Sequence, residues 1–258
     1  MTVYKIPNIK EILKPRWAHK PGEAVNEKGW HKQEARQQSS APEDKNLLRK
    51  LEIKKGEKVL AIAGYYASWA SEIARLGAKV DYSDISNSMV RWTKRKYGKL
   101  FEKYICNNYE LIPKNPNEYD WTFTFEACGG GSGLPIAYLR SLLNKKGGIL
   151  VLHVRYGTAR RKMGSKPRTY PRIIKTLSKV YGAKYKIKDI RIKSHRFKHP
   201  IRMILHRIHI IKTNDKARQL AKQDLDALFS NKFNQENLKR LNQFSKAIEE
   251  DYLKTIKK

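Results

Sequence analysis

The chain has 258 residues, a length that one α/β domain fills, and 40% hydrophobic residues supply one sizeable core. Its 55 Lys+Arg stand against 24 Asp+Glu, a formal net charge of +31 at pH 7. No apolar run approaches the length that spans a bilayer, and the two cysteines, Cys106 and Cys128, form no CxxC pair, so a membrane span, a disulfide framework and a cysteine zinc site are all excluded as expectations.

Residues 1–45 read as an N-terminal extension. They carry Pro7, Pro15, Pro21 and Pro42, and Trp17 and Trp30 point to a segment draped over the main domain, since such rings need a surface to cover. No apolar segment with a cleavage site follows Met1, which predicts no secretory signal and a cytoplasmic setting.

From residue 46 the pattern is regular. Leu47, Leu48 and Leu51 predict a short helix before the turn at 54–56. Residues 58–63 form a short apolar run fit for a buried strand, and 67–76 a helix closed by Gly77. A second strand follows at 79–83, then a helix to about Tyr97 that Ser86 can cap. Strands are predicted at 104–106 and 121–125. A helix runs from Pro135 to Leu143, Gly147-Gly148 reads as a turn, and a fifth strand covers 149–154. Strands alternating with helices on short connections predict a parallel sheet with helices on both faces.

The later part departs from that rule. A helix over 170–181 precedes two strands, 185–192 and 201–211, joined by a short turn at His199-Pro200, which predicts an antiparallel terminal hairpin. In the first of these, Ile187, Ile190 and Ile192 break strict alternation and predict a bulge or a change of buried face. Helices over 215–229 and 235–256 close the chain. The fold class is therefore α/β: a seven-stranded, mostly parallel sheet with an N-terminal extension (1–45), a core (46–212) and a C-terminal helical extension (213–258).

A globular chain this basic repels itself unless an anion neutralises it, and nucleic acid is the usual partner because phosphate contacts release counterions. A lysine-rich composition with ordinary solvated faces is the competing account, but glutamate is scarce here. Two basic segments stand out. Residues 155–172 interleave Arg155, Arg160, Arg161, Lys162, Lys166, Arg168 and Arg172 with Tyr156 and Tyr170, and a second cluster at 191–199 holds Arg196 and Lys198. Such residues can reach phosphates and stack on bases. His195 and His199 lie in a turn-rich segment that does not align them for a metal.

Five β-α units followed by a hairpin, over residues 46–212, resemble the class I S-adenosylmethionine-dependent methyltransferases, a Rossmann-like family. The runs Lys55-Gly56-Glu57-Lys58-Val59-Leu60, Val80-Asp81-Tyr82-Ser83-Asp84-Ile85-Ser86, Tyr119-Asp120-Trp121-Thr122-Phe123 and 142–152 are similar to that family's stretches around strands one, two, four and five. The resemblance implies adenosylmethionine as cofactor, with Asp84 and its neighbour Ile85 at the ribose, Asn108 and Tyr109 near the adenine, and Ala63, Gly64, Tyr65, Tyr66 and Phe125 also at its pocket. Asp84 reads alternatively as a helix cap, and Asn108 as a plain turn residue.

The first loop departs from the family pattern. Ala61 replaces the usual acid, Ala63 and Gly64 keep one glycine where two or three are expected, and Tyr65 and Tyr66 stand where small residues belong. The exit of the fourth strand, from Phe125 through Glu126 and Cys128 to Gly133, carries neither an Asn/Asp-Pro-Pro-aromatic run nor a Pro-Cys pair. Glu126 is the candidate catalytic group, and Cys128 lacks a basic partner that would activate it. The implied activity is methyl transfer to nucleic acid, RNA ahead of DNA. Two other readings stay open: a methyltransferase-like RNA-binding or ribonucleoprotein component without catalysis, and a nicotinamide enzyme, against which the missing G-x-G-x-x-G counts.

Overall fold

The computed structural model describes residues 44–62, 67–84, 86–106, 118–125, 134–154, 170–194 and 202–256. The expected extension over 1–45 thus lies outside the described residues except for Asp44 and Lys45. The described elements are α1 (Leu47–Leu51), β1 (Lys58–Ile62), α2 (Ala67–Arg75), β2 (Lys79–Asp84), α3 (Asn87–Tyr97) with a 3-10 turn (Gly98–Leu100), β3 (Lys103–Cys106) and β4 (Trp121–Phe125). They continue with α4 (Leu134–Ser141), β5 (Gly147–Val154), α5 (Tyr170–Tyr181), β6 (Lys184–Ser194), β7 (Arg202–Lys212), α6 (Asp215–Ser230) and α7 (Gln235–Ile256).

The seven strands form one sheet in the order β3-β2-β1-β4-β5-β7-β6. The first five are parallel, and β7 runs antiparallel to both β5 and β6. This is the predicted α/β architecture. β1 is buried from Val59 to Ile62, as a central parallel strand covered on both faces must be. Val59 and Ala61 join an apolar cluster with α1 and α2, whereas Leu60 and Ile62 meet Tyr119 on the opposite face. Beyond β4 that opposite face belongs to α4, α5, α6 and α7, which bury Leu139, Ile174, Leu177, Tyr181, Leu225, Leu241 and Phe244 against Leu150 and Ile211. The two C-terminal helices therefore take part in this core.

Local chemistry sets the element ends. Gly77, at φ +104°, closes α2, with the Ala78 N–H returning to the Ile73 carbonyl at 3.3 Å. Asn214 caps α6 through the Ala217 N–H at 2.8 Å. Asn234 and Asn237 cap α7 reciprocally, each side chain accepting the other's backbone N–H at 2.8 and 3.3 Å.

One expectation changes and another is decided. Gly147 and Gly148 are not a turn; they open β5 and pair with Lys212 and Ile211. Of the two alternatives for β6, the bulge is absent and the change of buried face is present, from Tyr185 on the side covered by the C-terminal helices to Ile190 on the other. Its register with β7 is continuous from Lys184↔Lys212 to Ser194↔Arg202. Ile190 is buried at 5% exposure while Ile187, on the other face of this edge strand, is 49% exposed. The broken alternation reflects an edge strand whose outer side lacks a neighbour, so an isoleucine there is not forced inward. Among the described residues no helix is long and apolar enough to cross a membrane, and no group of three His, Cys, Asp or Glu is placed to hold a metal ion.

Candidate active site at the carboxyl edge of the sheet

The chain leaves β1 toward β2 on one side and enters β4 on the other, so the strand order reverses between β1 and β4. Open parallel sheets bind ligands outside the carboxyl ends of their strands at such a reversal. Ile62 pairs with both Ser83 and Thr124, which aligns the ends of β1, β2 and β4 at one edge. Asp84 and Phe125, each one residue further on, end β2 and β4 there.

Asp84 is 8% exposed and accepts the Ser86 N–H at 2.8 Å. Ser86 in turn accepts the Met89 N–H at 3.4 Å and is the N-cap of α3. The helix cap is therefore Ser86, and Asp84 acts one step earlier, bending the chain out of the strand. That leaves a nearly buried carboxylate at the carboxyl edge, beside the positive end of α3.

The sequence reading missed a polar strip beneath this edge. Asp81 and Ser83 of β2 and Thr124 of β4 lie on the sheet face opposite α2, at exposures of 4%, 0% and 4%. The Tyr119 hydroxyl donates to Asp81 Oδ2 at 2.7 Å, and burial together with that carboxylate pushes the tyrosine well above its ordinary range. Asp81 Oδ1, Ser83 Oγ and Thr124 Oγ1 are buried without a hydrogen-bond partner among the described residues. The signal was present in Val80-Asp81-Tyr82-Ser83: polar residues at every second position of a doubly buried strand mark one polar face.

The other runs behind the resemblance brace the amino edge. Asp120 Oδ2 accepts the Lys58 N–H at 2.8 Å, and Glu57 accepts from Trp121 Nε1 at 2.7 Å, which ties β1 to β4. Asn144 donates to Thr122 Oγ1 at 2.7 Å and to the Gly147 carbonyl at 2.9 Å. These contacts are architectural and leave the chemistry to the opposite edge.

Of the residues expected at the cofactor, Asp84 is placed with its side chain and Phe125 by its backbone. Ala63, Gly64, Tyr65, Tyr66, Ile85, Asn108, Tyr109 and the candidate catalytic Glu126 lie outside the described residues. So do Arg155, Tyr156, Arg160, Arg161, Lys162, Lys166, Arg168, Arg196 and Lys198, while Arg172 is placed only as a backbone position in α5.

No family model matches the sequence, and no curated protein matches it. Among solved structures the chain is similar to an S-adenosylmethionine-dependent methyltransferase from Aquifex aeolicus, at 16% identity and a TM-score of 0.45, over 73% of this chain and all of that one. It is similar to magnesium protoporphyrin IX methyltransferase from Synechocystis PCC 6803, at 15% identity and a TM-score of 0.44, over 75% of this chain and 89% of that one. It is also similar to the 23S rRNA methyltransferase ErmE, at 10% identity and a TM-score of 0.43, over 72% and 74% of the two chains. Five parallel strands with a reversal between β1 and β4, closed by an antiparallel β7-β6 hairpin, give this chain a Rossmann-like α/β fold.

Proposed function

We propose that this chain is an S-adenosylmethionine-dependent methyltransferase acting on nucleic acid, RNA ahead of DNA. The observation that carries the reading is Asp84, a carboxylate at the end of β2 beside the strand-order reversal. A carboxylate suits a ribose, because its oxygens accept from two neighbouring hydroxyls. When bound, the cofactor supplies an electrophilic methyl group. Asp84 would orient its ribose, and the loop over 63–66 would lie against its methionine part. The target nitrogen or oxygen would be held in line by nucleic-acid contacts from 155–172, with positioning supplying most of the rate. Glu126 would orient or deprotonate the target group. The charge of +31 supports a polyanionic substrate over a small neutral one.

Tyr65 and Tyr66 in the first loop favour the second reading, an RNA-binding component that has lost the cofactor. Calorimetric titration with adenosylmethionine and with its demethylated product separates the two. Saturable binding is expected. Its absence at high protein concentration, with RNA binding intact, would replace the enzyme with the binding protein.

A further inference from the structure

The two edges of the sheet handle positive charge differently. At the β6 edge, Lys186, Lys188 and Lys212 converge on Glu52, and Arg207 forms a two-point pair with Asp189 at 2.9 Å in both contacts. An open groove lined by Arg49, Lys50, Lys188, Asp189 and Ile190 lies on that side, and its cations are largely answered by acids of the same chain.

At the β3 edge Lys103 is answered by Glu118 at 3.3 Å, but on α3, which covers that edge, the balance fails. From Asn87 to Phe101 the chain holds Arg91, Lys94, Arg95, Lys96 and Lys99 and no acid. All five are exposed. Lys96 lies over the Trp92 and Tyr97 rings, at 4.9 and 5.1 Å from their centroids. Arg91, Lys94, Arg95 and Lys99 make no ion pair among the described residues. Arg91 and Arg95 stand one four-residue step apart on α3, about 6 Å of rise, with Lys94 beside them, and Lys99 follows in the 3-10 turn beyond the Gly98 cap. Like charges at this spacing destabilise a helix. The helix macrodipole offsets the cost for cations in the last turn, but not for Arg91 a turn earlier, and the first turn lacks the acids that the dipole would favour there.

We propose that the outer face of α3 and the 3-10 turn that follows it track the phosphate backbone of a nucleic-acid strand, with Arg91, Lys94 and Arg95 of the helix and Lys99 of the turn as contacts. This inference rests on the nucleic-acid reading above and adds a surface separate from the basic loop at 155–172. Its position fits: α3 starts at the Ser86 cap, beside Asp84, and runs down the sheet, so a strand whose target base reaches the carboxyl edge can continue along it. The step from Arg91 to Arg95 is close to the spacing of neighbouring phosphates along a strand. An anionic membrane is the poorer occupant, because Met89 and Val90 of α3 are buried inward and the Trp92 and Tyr97 rings are only partly exposed and lie under Lys96.

The test is fluorescence anisotropy with a mixed-sequence single-stranded RNA over a salt series, comparing the whole chain with the Arg91→Gln/Lys94→Gln/Arg95→Gln variant. Removing three phosphate contacts should lower the salt slope by about 2 and weaken binding roughly tenfold or more at low salt. A variant that keeps both affinity and slope while the unmodified chain binds RNA overturns this surface and leaves the nucleic-acid reading standing. An unmodified chain with no salt-dependent RNA binding overturns both, and retention on phosphatidylserine vesicles in place of RNA assigns α3 to a membrane. A second measurement needs no variant: bound RNA should slow acylation of Lys94 and Lys99 but not of Lys186. Unprotected Lys94 and Lys99 in the RNA complex would overturn the proposal.

Discussion

The Asp84 carboxylate accepts the Ser86 N–H at 2.8 Å, so one side chain ends β2 and sets up the cap of α3 while remaining at the carboxyl edge of the sheet. The pairing has a practical consequence, because the structural duty of Asp84 and its proposed role at the ribose separate by substitution.

Asp84→Asn keeps an oxygen for the Ser86 N–H and loses the charge. Hydrogen bonds to a charged group contribute about 1.5–3 kcal/mol, so adenosylmethionine should bind roughly 10- to 100-fold more weakly in this variant with little change in the unfolding midpoint. Asp84→Ala should lose the same affinity and some stability as well. Calorimetry and thermal unfolding read the two effects, and wild-type affinity in the Asn variant would remove Asp84 from the ribose site.

Asp224 is fully buried between α5, α6 and α7. It accepts from Tyr181 at 2.7 Å and from Asn237 at 2.7 Å, and forms a two-point pair with Arg240, the shortest contact being 2.6 Å. Asp224→Ala leaves the Arg240 cation with only the exposed Glu236, 3.7 Å away, as counter-charge, and removal of one partner of a buried pair costs about 3–5 kcal/mol. Tyr181→Phe removes one donor and should cost about 1–3 kcal/mol. Urea denaturation monitored by circular dichroism checks the order; equal, small losses would mean that the helices dock without this network.

Glu52 should make the protein acid-sensitive in a defined window. Burial opposes its ionisation, but Lys188, Lys212 and Lys186 outweigh that and hold its carboxyl at about 2 against an ordinary 4.5. A carboxylate depressed by folding stabilises the native state above its unfolded pKa, and that contribution is lost as pH falls from 4.5 toward 2. Glu52→Gln should therefore lower the unfolding midpoint at neutral pH and flatten its decline through this window. A midpoint curve parallel to that of the unmodified chain would count against the lysine cluster as its cause.

Gly147 stands where β5 begins, at φ +138°, and a Cβ there would lie 1.9 Å from the Ile211 carbonyl oxygen. Gly147→Ala combines a disfavoured backbone with a clash against β7, and should cost roughly 2–4 kcal/mol. Gly56 also has positive φ, but nothing lies within 4 Å of its Cβ position, so Gly56→Ala should cost only about 1–2 kcal/mol. Chemical denaturation of the two variants side by side tests the difference.

The alternation of apolar runs with capped helical segments determined the parallel sheet and the terminal hairpin, because burial periodicity is local and survives in one dimension. Ser86 and Gly77 could be read as punctuation for the same reason: a cap acts within one turn of its own residue. The role of Asp84 was legible only as a choice between cap and ribose ligand, and tertiary geometry gave the cap to Ser86. Gly147-Gly148 reads as a turn until β7 is laid against it, since what glycine makes room for there is a strand some sixty residues away in sequence. The meeting of Asp81 and Ser83 with Thr124 in one strip, and the contrast between the lysines around Glu52 and Arg91, Lys94 and Arg95, which make no ion pair among the described residues, were decided by the fold. Partners in those contacts come from different strands and helices, and composition gives only the sum of the charge, not where acids and bases meet.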